Sequence, residues 1–255
     1  MTTTEEKPAG AAEPEEPEAG RSAAVRAAEL ARREGPWILG LGVAAGLLAG
    51  GVSGWFFGWE AGAVVGLGMV VAVAVERWRR SDAVRWWLGS WGERRTGRLL
   101  DRLEREGWTV LHDRGFGRGA AHIDHLLLSP GGRVFNVDSK LRGGPVGYDA
   151  EKDRLRIGDS TGNQLVGSAL SDTERIARVL EEDLGWKVRV TTVLAVHRAR
   201  LPRGTEITVK EAVVLPARAV SGWVRARGGE PTKRGARVAD RIGELFPAHE
   251  PPVRR

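Results

Sequence analysis

The longest apolar run of the chain lies near its N-terminus. Residues Trp37 to Phe57 carry no charged side chain over 21 positions, and as a helix this run would be about 30 Å long, the thickness of a bilayer's hydrocarbon core. A second uncharged run, Ala61 to Val75, would be only about 22 Å long as a helix, but Trp59 and Trp78 beside it can anchor it at the two interfaces. The pattern predicts a transmembrane helical hairpin over residues 37–78.

Glycines recur at every fourth position of this hairpin, at 42, 46, 50, 54, 58, 62 and 66. This spacing puts small residues on one helical face, which predicts tight packing of the two helices and allows self-association through the hairpin. Arginines flank the two runs on their outer sides, whereas the connector 58–60 has no positive charge. The positive-inside rule therefore predicts a multi-pass protein of the cell membrane with both termini cytoplasmic. A cleaved twin-arginine signal and a buried hairpin of a soluble protein are the alternatives.

Residues 1–30 ahead of the hairpin are predicted to be a disordered acidic tail. Positions 1–20 contain six Glu and one Lys, with no aromatic or β-branched apolar residue, so they cannot bury enough surface to offset chain entropy. The Ala-rich stretch Ser22 to Arg33 favours a helix, which is expected to stop or turn at Gly35–Pro36.

Beyond Asp82 the chain alternates between helical and strand-like periods. Helical spacing covers 82–106, 166–184, 217–226 and 232–246, and strand-like segments cover 108–112, 122–129, 133–140, 154–157, 186–196 and 206–215. This order predicts an α/β fold, a mixed sheet flanked by helices. We expect residues 82–200 to form the main domain and residues 201–255 to add a C-terminal strand and basic helices.

The segment from His122 to Lys140 carries the candidate chemistry. Two apolar strands flank Ser129-Pro-Gly-Gly132, which predicts a β-hairpin with a tight reversal. If the reversal centres on Gly131, Asp124 lies opposite Asp138 with Cβ atoms about 5 Å apart, and Lys140 shares their face. A register one residue different would separate the two carboxylates, and the sequence leaves both registers open.

Two carboxylates and an ammonium on one face suit phosphodiester hydrolysis. That reaction needs an oxygen-ligated cation to neutralise the phosphate and acidify a water, and a nearby amine to position the water. The alternative is a structural ion pair between Asp124 and Lys140. His125 is predicted on the opposite face and His122 on the same face; neither has metal-ligand spacing with a third histidine, and structural roles are expected for both.

Composition narrows the chemistry further. The chain has no Cys, which excludes disulfides, thiolate metal sites and a Cys nucleophile. The net charge is +6, and a basic domain follows the acidic leader. A group of C-terminal basic residues can track a phosphate backbone, contact anionic lipid or be solvated surface: Arg218, Arg225, Arg227, Lys233, Arg234, Arg237 and Arg241.

Four segments in order give the chain a family resemblance. They are Gly89-Ser-Trp-Gly-Glu-Arg-Arg95, Gly107-Trp-Thr-Val-Leu-His-Asp113, Ile123-Asp-His125 and Val137-Asp-Ser-Lys140. Together they resemble the NERD, or nuclease-related, domain, over about residues 89–194. The resemblance implies a restriction-endonuclease-like fold of the PD-(D/E)XK nuclease-like superfamily. Some bacterial members have a similar membrane hairpin ahead of the domain.

The resemblance also implies the site. Glu93, Asp124 and Asp138 would be the metal carboxylates, Lys140 the catalytic lysine, Mg²⁺ or Mn²⁺ the cofactor, and nucleic acid, DNA in particular, the partner. Members often have an Asn-Pro-x-x-Gln-like start to the helix after the hairpin, and the departure here puts Gln164 in doubt as a site residue. The implied function is a membrane-anchored nuclease at the cytoplasmic face. The alternative is a catalytically inactive nucleic-acid-binding or membrane-scaffold protein that retains the fold.

Overall fold

The computed structural model describes residues 17–116, 122–202 and 206–249. Its N-terminal part is a helical hairpin of α1 (Arg21–Phe57) and α2 (Trp59–Arg80), separated by Gly58 alone. Both helices are long and apolar enough to cross a membrane. Most of the predicted acidic tail, residues 1–16, lies outside the described residues.

Helix α1 confirms the helix predicted over Ser22 to Arg33 and corrects two other predictions. It begins at Arg21, so residues 21–30 do not belong to the predicted tail, and it continues through Gly35 and Pro36, where a stop or turn was expected. An internal proline removes one backbone donor and crowds the carbonyl four residues earlier. Here good helix formers precede it and a long apolar run follows, so the favourable residues on both sides outweigh a single unfavourable position.

The glycine face joins the two helices. A Cβ atom added at Gly46 would lie 2.7 Å from the carbonyl oxygen of Gly66, and one added at Gly50 would lie 2.7 Å from that of Gly62. Such distances leave no room for a side chain, so the predicted close packing of the hairpin is confirmed. Self-association through this face stays a prediction.

The rest of the described chain is a mixed α/β unit. Its helices are α3 (Asp82–Leu100), followed by a 3₁₀ turn (Asp101–Glu106), α4 (Asn163–Leu184), α5 (Ala217–Arg225) and α6 (Lys233–Leu245). Its strands are β1 (Thr109–Gly115), β2 (His122–Leu128), β3 (Val134–Asp149), β4 (Arg154–Ile157), β5 (Ser160–Thr161), β6 (Val190–Arg200), β7 (Ile207–Val209) and β8 (Ala212–Pro216).

Within the described ranges the eight strands form one sheet in the order β1-β2-β3-β6-β8-β7, with β4 and β5 extending from β3. The β3–β6 and β6–β8 pairs are parallel and the other pairs are antiparallel. Apolar residues of α3 and α5 cover one face and those of α4 and α6 cover the other. The predicted mixed sheet flanked by helices is therefore confirmed.

Several strand boundaries differ from prediction, among them those of β3 and of the segment 206–215. Strand β3 runs on to Asp149 instead of ending at Lys140, because its distal half pairs with β4 and, after a register shift between Leu141 and Gly144, still follows β6. The single strand predicted over 206–215 is a hairpin of β7 and β8. Lys210 takes a positive φ of 55° in its turn, as two-residue hairpin turns require.

Candidate metal centre

The β2–β3 hairpin has the register that centres on Gly131. His125 pairs with Val137 and Leu128 with Val134, so the next residues toward the open end are Asp124 and Asp138. The turn closes with a hydrogen bond from the Gly132 N–H to the Ser129 carbonyl, at 2.9 Å, and Gly132 has a φ of +85°. The glycine supplies the left-handed conformation that this reversal needs.

The hairpin brings Asp124, Asp138 and Lys140 together. The Lys140 ammonium contacts Asp138 Oδ1 directly and lies 4.0 Å from Asp124 Oδ2. Asp124 Oδ2 also accepts a 2.8 Å hydrogen bond from the Ser139 backbone N–H. Asp124 is buried, and Asp138 and Lys140 are partly buried. The result is a compact group of two acids and one amine on the two adjacent strands β2 and β3.

The pKa values of Asp124 and Asp138 are shifted in opposite directions. Burial tends to raise the pKa of Asp124, but the charges of Lys140 and His122 oppose it and hold the pKa of Asp124 below its usual value. Burial raises the pKa of Asp138 to about 7, against the opposing effect of Lys140. The two acids raise the pKa of Lys140 although its burial acts in the other direction. Lys140 is therefore a cation at neutral pH.

Glu93 reaches the same group from α3. It is only 8% exposed, and its Oε2 atom has no hydrogen-bond partner among the described residues. Burial, followed by the charge of Asp124, raises the pKa of Glu93 to about 9. A buried carboxylate beside other acids and without a partner is unfavourable unless a proton or a cation neutralises it.

His122 joins Glu93 and Asp124. One donor atom from each of these three residues lies within 4.8 Å of the other two. His122 Nε2 is 3.5 Å from Asp124 Oδ1 and 3.5 Å from Asp113 Oδ1, and it too lacks a hydrogen bond to the described residues. Oxygen donors from two acids and an imidazole nitrogen are a set that can hold a divalent cation. The sequence predicted His122 on this face but with a structural role, and it predicted Asp138, which is not in this group of three, as the third metal carboxylate.

Asp113 is a further acid that sequence reasoning missed. The β1–β2 register pairs His112 with His125 and Arg114 with Ile123, which puts Asp113 beside Asp124. Both Asp113 carboxylate oxygens accept 2.6 Å hydrogen bonds from Ser22 at the start of α1, one from its N–H and one from its hydroxyl. The first residues of α1, ahead of its apolar run, therefore pack beside the candidate site. The start of the main domain at residue 82 stays a prediction.

A chain of polar side chains, from the exposed Asp101 to the buried His125 and Ser139, lies on the other face of the hairpin. Asp101 Oδ1 is 2.7 Å from His112 Nε2, His112 Nδ1 is 2.8 Å from His125 Nδ1, and His125 Nε2 is 3.2 Å from Ser139 Oγ. Burial, and then the proximity of His112, lowers the pKa of His125 to about 3. The alternation of the strand, with His125 turned away from the carboxylates, follows the prediction, but its hydrogen-bond partners were not foreseen.

Two other predicted features are not part of this site. Gln164 is exposed near the start of α4, where the neighbouring Asn163 side chain instead bonds to the Leu155 N–H and the Asp153 carbonyl. Several of the C-terminal basic residues are engaged within the chain: Arg225 with Glu106, Arg227 with Glu206, and Arg241 with Asp183. These ion pairs reduce the positive charge available for a continuous phosphate track.

One family model matches the chain. The model of the nuclease-related domain covers residues 88–216, slightly more than half of the 255 residues. The matched range contains Glu93 and the whole β2–β3 hairpin, and it extends beyond the predicted end of the resemblance at residue 194. No curated protein and no solved structure matches the chain significantly. The chain belongs to the nuclease-related domain (NERD) family.

Proposed function

We propose that the protein is a membrane-anchored nuclease that hydrolyses phosphodiester bonds of nucleic acid, DNA in particular, with the help of Mg²⁺ or Mn²⁺. The proposal depends on one observation: a helix and two adjacent strands bring Glu93, Asp124, Asp138 and Lys140 together in one group. A family match to a nuclease-related domain supports it. The arrangement is similar to that of the PD-(D/E)XK superfamily, to which we assign the domain.

The donors present fit a divalent cation. Glu93 Oε2 and His122 Nε2 lack hydrogen bonds to the described residues, and Asp124 is close to both. Such a cation would neutralise the phosphate and lower the pKa of a water molecule. In this proposal Asp124 and Glu93 hold the cation, Asp138 orients the Lys140 ammonium, and Lys140 positions the attacking water and stabilises the negative charge that develops on the phosphate.

The same proposal places the protein in the cell membrane with both termini in the cytoplasm. Support comes from the two apolar helices, from the glycine face that holds them together, and from three arginines in the last turn of α2. With this topology the α/β domain lies on the cytoplasmic side, where chromosomal or invading nucleic acid is accessible.

Cleavage by the full chain in detergent tests the function. Supercoiled plasmid, single-stranded DNA and RNA should be incubated with Mg²⁺, Mn²⁺ or a chelator, and we expect nicking only with a metal. Lys140→Met should reduce cleavage by orders of magnitude yet retain metal binding, because it removes a group that acts mainly in the transition state. Lys152→Met, at an exposed lysine, is the matched control and should cleave normally.

Asp138→Asn distinguishes the two function classes. In this proposal Asp138 contacts Lys140 and adds negative charge beside the cation. The amide of Asp138→Asn keeps the size of the side chain but lacks that charge, so divalent-ion binding should weaken. A wild-type protein that cleaves none of the three substrates, together with an Asp138→Asn variant that is more stable because carboxylate repulsion is relieved, would contradict the nuclease proposal. The inactive nucleic-acid-binding or scaffold alternative would then take its place.

A further inference from the structure

We propose that His122 is a direct ligand of the cation at this centre, and that its imidazole makes the site select Mn²⁺ over Mg²⁺. The inference rests on the proposed metal centre and deepens it by assigning a nitrogen donor and a metal preference.

The first argument is the distance between donor atoms. His122 Nε2 is 3.5 Å from Asp124 Oδ1, which is too long for a hydrogen bond. Two ligands that each bind one cation at about 2.1 Å are roughly 3 to 3.5 Å apart. Glu93 contributes a third donor within 4.8 Å of both. The spacing therefore suits ligands around a shared ion better than side chains bonded to each other.

The second argument is the unpaired carboxylate that faces His122. Glu93 is more than nine-tenths buried, at 8% exposure, and its Oε2 has no hydrogen-bond partner in the described part of the chain. Buried polar atoms are almost always paired, and a bound cation would pair with this one. His122 Nε2 is a second buried atom without a hydrogen bond to the described residues, although the side chain as a whole is 21% exposed.

The third argument is that nearby histidines are already committed. His125 bonds to His112 and to Ser139, and His112 uses its second nitrogen for Asp101. His197 Nε2 bonds to Thr96. The ring of His249 lies beside that of His122, tilted by 49° with centroids 5.4 Å apart, but it does not belong to the donor group. His122 is thus the imidazole that the fold directs at Asp124.

The chemistry of the donor decides the metal. Mg²⁺ binds oxygen donors almost exclusively and keeps much of its water shell. Mn²⁺ also binds carboxylates well, but as the first ion of the transition-metal affinity series it accepts an imidazole nitrogen more readily than Mg²⁺ does. In an all-oxygen site the two ions compete more evenly. A site with one imidazole and two carboxylates should favour Mn²⁺, and loss of the imidazole should reduce that preference.

Metal titration of the full chain in detergent measures the preference. We expect wild-type protein to bind Mn²⁺ more tightly than Mg²⁺. His122→Gln should weaken Mn²⁺ binding by at least about tenfold, since even loss of a second-shell partner costs 10- to 100-fold in metal affinity, and should change Mg²⁺ affinity much less. His249→Gln removes the imidazole that lies beside His122. It is the matched control and should leave the affinities for Mn²⁺ and Mg²⁺ unchanged.

Pulsed EPR of bound Mn²⁺ gives a direct readout that needs no substitution. A coordinated imidazole should show ¹⁴N coupling, and wild-type protein labelled with [¹⁵N]histidine should show the ¹⁵N pattern instead. The coupling should persist in His249→Gln and vanish in His122→Gln. Tight Mn²⁺ binding without histidine coupling, or coupling lost only in His249→Gln, would overturn the inference while leaving the metal centre intact. Wild-type protein that binds neither ion would contradict the proposed function itself.

Discussion

Glu93→Gln should make the metal-free protein more stable at alkaline pH and less responsive to metal. Glu93 is 8% exposed, and burial, followed by the charge of Asp124, raises its pKa from 4.5 to about 9. The folded state therefore holds this proton more tightly than the unfolded chain does. Stability linked to Glu93 is fully present below pH 4.5 and is lost as the pH rises toward about 9.

The size of the effect follows from the difference between the two pKa values. One pKa unit corresponds to about 1.36 kcal/mol, so the full difference sets a ceiling of roughly 6 kcal/mol at pH 9. The charges of the neighbouring acids and of Lys140 also act on the pKa of Glu93. Relaxation and water penetration reduce the free-energy cost of a buried charge. We expect an observed gain of roughly 2 kcal/mol for Glu93→Gln at pH 8.5 and almost none at pH 5.

Urea unfolding of the α/β domain, followed by tryptophan fluorescence of the full chain in detergent, measures this gain at both pH values. Glu104→Gln, at an exposed position of the 3₁₀ turn, makes the same chemical change at the surface and should not alter stability at either pH. Added Mn²⁺ should stabilise the wild type more than Glu93→Gln. A Glu93→Gln variant that is equally destabilised at pH 5 and pH 8.5 would refute the reasoning, because the carboxylate would then be a structural hydrogen-bonding group.

Three further predictions concern the N-terminal helices. Ser22→Ala removes the hydroxyl bonded to Asp113 and should lower the free energy of unfolding by about 2 kcal/mol, whereas Ser168→Ala at an exposed position of α4 should not. Gly50→Leu should lower the thermal stability of the hairpin in detergent, because a Cβ there would already lie 2.7 Å from the Gly62 carbonyl oxygen; unchanged melting would show that the glycines are only compositional. Reporter fusions after Arg33 and after Arg80 should both read cytoplasmic, and an external signal from the second alone would leave a single span.

Periodicity in the sequence predicted the elements of the fold better than their ends. The strand β4 and the C-terminal ends of several helices were foreseen because apolar spacing and a terminal glycine, such as Gly185 after α4, are local signals. The continuation of α1 past Pro36 and of β3 past Lys140 depends on neighbours. The pairing of β3 with β4 cannot be read from the strand propensity of single residues. The predicted strand therefore ended where the local apolar pattern changed.

The site was predictable where one turn determines it. The reversal at Ser129 to Gly132 fixes the β2–β3 register, and that register alone brings Asp124, Asp138 and Lys140 to one face. Asp113 was missed because its position depends on the β1–β2 register. No turn motif like Ser129 to Gly132 indicates that register in the sequence. One signal in the sequence was that Asp113 directly follows the predicted strand 108–112, as Asp124 lies near the start of the predicted strand 122–129.

The contact between Asp113 and Ser22 also links the apolar helical hairpin to the candidate site. Ser22 and the buried residues Ala19, Ala23 and Ala27 pack ahead of the apolar run of α1, and a Cβ at Gly97 of α3 would lie 2.6 Å from the Ala19 methyl. One continuous helix thus carries both the Asp113 contact and the first apolar span. A fragment that starts at residue 81 would lack both donors to the Asp113 carboxylate and the start of α1 that packs beside it. The candidate site is therefore completed by the helix that enters the hairpin, and its chemistry should be measured on the full chain.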